Sequence, residues 1–147
     1  MHRPEVTTLS TDHRRALCSR LTLIDETLCR IEAWARGRAV QSVFYREVNS
    51  LTAAQSERLL KVTAAAKAQL GLIQKTFALE PQVVNASNDV WAGCALIREQ
   101  LADLESRRLR TYGPIAASLG RSLDAEIHSL AQHLDRLSGV VTQAERH

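Results

Sequence analysis

The chain has 147 residues, of which 45% are apolar and 24% charged, with a net charge of +3 and a pI near 9.0. That length suits a single domain over residues 1–147 with a real core, and it excludes a natively unstructured chain. The charge is too small for a polybasic nucleic-acid binder, and the absence of any long apolar run argues against a membrane partner.

Aromatic residues make up 4%, and only six Gly and three Pro punctuate the chain. Ala and Leu dominate, so the expected elements are few, long and helical. Of 19 cations, three are Lys and 16 are Arg, a residue whose planar fork suits carboxylates and phosphates. Cys18 and Cys29 lie too far apart on one helix to bridge, and Cys94 stands alone. Reduced, packed cysteines and an opening MHRPEVTTLS with no apolar h-region predict a cytoplasmic protein.

Residues 1–10 are expected to fray, and Ser10, Thr11 or Asp12 to cap a first helix at about 12–36. Its apolar residues Leu17, Leu21, Ile24, Leu28, Ile31 and Ala35 follow a 4-3-4-3-4 heptad rhythm, as in a coiled coil. Gly37 then ends it. Val40, Phe44, Val48 and Leu51 also have helical spacing, which predicts a short extra helix, or a helical extension, at 38–51. Thr52 with Gln55 forms the pattern of a capping box for a helix at about 52–79. That helix carries Leu59, Val62, Ala66, Leu70, Ile73 and Phe77 and ends before Glu80-Pro81.

Ser87 or Asn88 is the expected cap of a third helix at about 88–112, with the seam Val90, Cys94, Ile97, Leu101 and Leu104. Gly113 closes it, and Pro114 opens a fourth helix at about 114–141 as its first residue. Ile115, Leu119, Leu123, Ile127, Leu130, Leu134, Leu137 and Val141 make this the most regular stripe in the chain. Residues 142–147 are expected to fray. Four such helices with short connections predict an all-α, antiparallel up-down-up-down four-helix bundle.

In that topology the first and third loops share one end. The shared pole then collects Arg36, Arg38 and Arg46 from one hairpin and Arg107, Arg108, Arg110 and Arg121 from the other, with Tyr112 among its aromatics. Such a cluster can bind anions, nucleic-acid phosphates or an acidic partner. The ordinary alternative is that arginines near helix C-termini complement the helix dipole.

Enzymatic signatures are absent. No Glu has a His three residues on, which removes the di-iron bundle pattern. Asp124 and His128 sit at i, i+4 and are a candidate metal-ligand pair, with Glu126 and His133 seven residues apart on an adjacent polar strip, against the ordinary reading of a solvated face. Neither Cys18 nor Cys94 has a local His to activate it. The expectation is a non-catalytic helical interaction or structural module without a cofactor, forming a homo-oligomer or binding a partner protein. Anion or nucleic-acid binding is the first alternative. A small-ligand or metal-binding bundle with space near Ala64–Ala68 is the second.

Overall fold

The computed structural model describes residues 8–144, and all its regular elements are helical. The fraying expected at 1–7 and 145–147 lies outside the described residues. The chain divides into two compact units, Met1–Gln82 and Val83–His147. Each is an antiparallel helical hairpin.

The first hairpin pairs α1 (Thr11–Ala35) with α2 (Ala53–Phe77). Ser10 caps α1: its hydroxyl accepts the His13 amide at 3.1 Å while His13 Nδ1 accepts the Ser10 amide. Thr52 and Gln55 make the reciprocal pair at α2, at 3.1 and 3.0 Å. At the end of α1, Gly37 adopts φ 82°, its amide donates to Trp34 O, and Arg38 donates to Ala33 O. That is a Schellman closure, and glycine enters the left-handed region without a Cβ penalty. Helix α2 closes the same way three residues ahead of Pro81, with Ala78 at φ 51° and Leu79 donating to Gln74 O. Leu79 is buried at this turn, and Arg14 of α1 donates to the carbonyls of Phe77 and Ala78 at 3.1 and 2.8 Å. The start of α1 is thereby fastened to the end of α2.

The helix expected at 38–51 does not form. This segment is a tight reversal, with Ser42 donating to Tyr45 O at 2.8 Å, Glu47 to Val40 O at 2.7 Å, and an isolated antiparallel bridge between Gln41 and Arg46. Two causes outweigh the helical spacing. Val40, Val43 and Val48 are stiff β-branched residues that favour extended backbone. Asn49 offers side-chain bonds that a helix would not use, donating to Trp34 O at 2.8 Å and Arg38 O at 3.3 Å while accepting the Leu51 amide.

The second hairpin pairs α3 (Ala86–Leu101) with α5 (Ala117–Ala144). Asn85, ahead of the expected Ser87 or Asn88, caps α3 by accepting the Asn88 amide at 3.2 Å. Helix α3 stops at Leu101, well short of 112. A 3-10 turn (Ala102–Leu104) follows, Glu105 turns extended at ψ 143°, and a single turn of helix, α4 (Ser106–Leu109), leads into a second 3-10 turn (Arg110–Tyr112). Gly113 takes φ 148° and ψ 166°, a region closed to side-chain-bearing residues. Pro114 therefore stands in an extended stretch, and α5 begins at Ala117 and runs on through 142–144. The core of this hairpin is Cys94 and Leu101 against Leu134, flanked by Ile127 and Ala131.

Candidate functional site

Helix α5 resolves its single expected stripe into two. The residues turned to α3 and α4 are Gly120, Asp124, Ile127, Ala131 and Leu134, a 4-3-4-3 seam. Leu119, Leu130, Leu137 and Val140 lie on a neighbouring stripe and are 46–66% exposed. On α3 the exposed large apolar residues are Val90, Trp91, Leu96 and Ile97. The first hairpin repeats the pattern, with Ala35, Thr63 and Leu79 buried while Leu23, Ile24, Val62 and Leu72 face out. Five apolar side chains among the described residues are buried, each keeping 6–8% of its surface exposed, and no large side chain is fully enclosed. A helix that carries a second apolar face is built to meet another surface.

At the reversal between α1 and α2, Val43 and Phe44 project with 89% and 99% exposure. The base of the reversal is ordered by the Trp34 indole N–H, which donates to the Glu47 carboxylate.

The arginines divide between the two hairpins. On the first, Arg36 pairs with Glu32 at 3.3 Å, and Arg38 and Arg46 flank the reversal. On the second, Arg107 pairs with Glu105 at 2.9 Å and Arg108 with Asp103 at 3.2 Å. These carboxylates lie two and five residues upstream, spacings that no intact helix would bring together. They meet because the chain turns extended at Glu105, between the 3-10 turn and α4. Arg110 lies beside Gly120 and its charge reaches Asp124; Arg121 and Tyr112 are exposed.

Asp124, singled out with His128 as a metal ligand, is occupied otherwise. Its carboxylate accepts the Ser106 amide at 2.8 Å and the Ser106 hydroxyl at 2.7 Å. Those two bonds, and then the Arg110 charge, hold its carboxyl below the ordinary range. His128 meets Gln132 at 3.4 Å, and no hydrogen bond joins it to Asp124. Among the described residues, no three His, Cys, Asp or Glu side chains converge as a metal site. The role of Asp124 is not legible in the sequence, where it falls outside the apolar stripe and joins the α3-facing seam only once α3 is in place.

The first hairpin contains a further polar link that spacing alone does not reveal. Lys67 of α2 reaches Glu32 of α1 at 2.9 Å. The bond to Lys67 lowers the Glu32 carboxyl, and the bond to Glu32, helped by the nearby Cys29 sulfur, raises the Lys67 ammonium. Beside it runs an open groove of about 330 Å³ lined by Cys18, Leu21, Lys67, Leu70, Gly71 and Leu79. A second, of about 440 Å³, lies between Ile31, Trp34, Glu47, Leu51 and Leu59. The small residues Ala64–Ala68 line neither, and three of them (Ala64, Ala65 and Ala68) are exposed. Among the described residues, no helix is long and apolar enough to cross a membrane. Comparison with protein-family models, curated proteins and solved structures finds no match to this chain.

Proposed function

We propose that the protein is a non-catalytic helical interaction module, working through helix faces that pair with a second copy or with another protein. The carrying observation is the apolar stripe of α5 that its own hairpin leaves uncovered, Leu119, Leu130, Leu137 and Val140. Burial of such a face yields about 25 cal/mol for each Å² removed from water. A hairpin of two helices has too little interior to be stable alone, so the same faces would serve both folding and association. Anion binding draws less support, because Arg36, Arg107 and Arg108 are each answered by a carboxylate on their own hairpin.

Light scattering at rising concentration, combined with an apolar fluorescent dye, tests the reading. A mass above 16.3 kDa is expected. A chain that stays at 16.3 kDa and binds no dye has covered these faces by itself, and overturns it.

A further inference from the structure

We infer that α5 pairs antiparallel with α5 of a second copy, about a two-fold axis near Leu130. This rests on the interaction-module reading and names the partner.

The exposed stripe of α5 runs one residue behind its α3-facing seam. It holds the exposed Leu119, Leu130, Leu137 and Val140 and the half-buried Leu123, and the two positions between the central leucines are Glu126 and His133. The steps are 4-3-4-3-4-3, the rhythm of a helix that packs along its length against another. From Leu119 to Val140 the stripe extends roughly 30 Å.

Its order is close to a palindrome. Leu123 lies seven residues before Leu130 and Leu137 seven after. Glu126 lies four before and His133 three after; Leu119 lies eleven before and Val140 ten after. Reversing the helix about Leu130 sets leucine against leucine at the centre and at both flanks, and brings each Glu126 opposite the other copy's His133. A neutral imidazole N–H can donate to that carboxylate, and a protonated one adds charge. Parallel pairing would instead set Glu126 against Glu126 and His133 against His133, with no complement. A surface complementary to its own reverse is what a two-fold dimer requires. An unrelated partner would place no such symmetry on one stripe. The stripe uses none of Ile127, Ala131 or Leu134, so pairing leaves the hairpin's own core intact.

Sedimentation equilibrium on the full chain tests the pairing, with circular dichroism confirming that each variant keeps its helix content. The wild type is expected to be a dimer of 16.3 kDa chains. Leu130→Glu should weaken it by about tenfold or more, since a carboxylate would be buried at the axis. His133→Glu should weaken it by placing carboxylate against carboxylate. Glu126→Arg together with His133→Glu should restore it, because the pair is rebuilt with its charges exchanged. A dimer indifferent to Leu130→Glu, or a double variant no tighter than His133→Glu, overturns the α5 pairing and leaves the interaction-module reading standing. A dye-binding chain that stays monomeric also overturns only the pairing, whereas a monomer that binds no dye removes both.

Discussion

Asp124 of α5 holds both the backbone amide and the hydroxyl of Ser106, at 2.8 and 2.7 Å, across 18 residues of chain. That carboxylate does for α4 what a capping side chain usually does from within the same segment. It holds the start of α4 against α5, just past the end of α3. Its folded pKa lies below the ordinary 3.8, first through the Ser106 amide and hydroxyl and then through Arg110. A depressed carboxyl contributes stability above its unfolded-state pKa, and that contribution disappears as pH falls through the folded value. Thermal melts between pH 6 and about pH 2 should therefore fall steeply at the acid end for the wild type. Asp124→Asn should melt lower at pH 6 and show a flatter acid limb; parallel curves would contradict the assignment.

Among the described residues, Ala78 is the one non-glycine at positive φ, at the left-handed closure of α2. A Cβ there costs roughly 1–2 kcal/mol. Part of that is offset by the extra freedom glycine gives the unfolded chain, about 0.5–1 kcal/mol. Ala78→Gly should thus raise the stability of the first hairpin by about 0.5–1 kcal/mol in a denaturant titration. A lower midpoint would mean that the turn is not seated as described.

Gly120 and Gly71 separate two roles of helical glycine. A Cβ on Gly120 would stand 3.3 Å from the Ser106 Cβ and Oγ, inside the contact that Asp124 organises. Gly120→Ala should cost about 1–3 kcal/mol despite its better helix propensity, as overpacking does. A Cβ on Gly71 meets nothing within 4 Å. Gly71→Ala should gain about 0.5–1 kcal/mol. The two substitutions must move the unfolding midpoint in opposite directions.

The Glu32–Lys67 pair gives the first hairpin a stability plateau with two edges. Glu32 is lowered from 4.5, so its contribution fades as pH falls below that value. Lys67 is raised from 10.5, so its contribution is complete below that value and fades as pH climbs through the raised one. The partners keep 29% and 33% of their side-chain surface in water, and added salt should flatten both edges. Lys67→Met should remove the alkaline edge in pH-dependent melts; an unchanged alkaline limb would count against the link.

Much of the helical layout is readable in the residues. The ends of α1 and α2 fall within two residues of expectation because their signals are local: Ser10 with His13, Thr52 with Gln55, and Gly37 at its left-handed turn. The misread segments depend on contacts from elsewhere. Val40, Phe44, Val48 and Leu51 repeat at helical intervals, yet Asn49 binds the carbonyls of Trp34 and Arg38 and draws the segment into a reversal. Nothing between Leu101 and Ser106 is a glycine or proline, and the contact that stands beside the break, Ser106 on Asp124, comes from α5. The arginines suffer the same fate. Their types and positions are plain, while the pairing of Arg107 and Arg108 with Glu105 and Asp103 exists only once α3 has broken. The single stripe read along α5 averages two faces, and only the position of α3 tells them apart.

The two tryptophans fall one to each hairpin, which makes the halves of this chain optically separable. Trp34 is half-buried with its indole N–H committed to Glu47, whereas Trp91 is 55% exposed on α3. Trp91→Phe leaves a fluorophore that reports only the α1–α2 hairpin and its reversal. Trp34→Phe leaves one that reports only the α3–α5 hairpin. Emission from the first variant should shift to the red when the reversal opens, and that from the second should shift to the blue when a neighbouring surface covers α3. The molecule thus carries its own pair of labels for finding which half melts first and which half meets a partner.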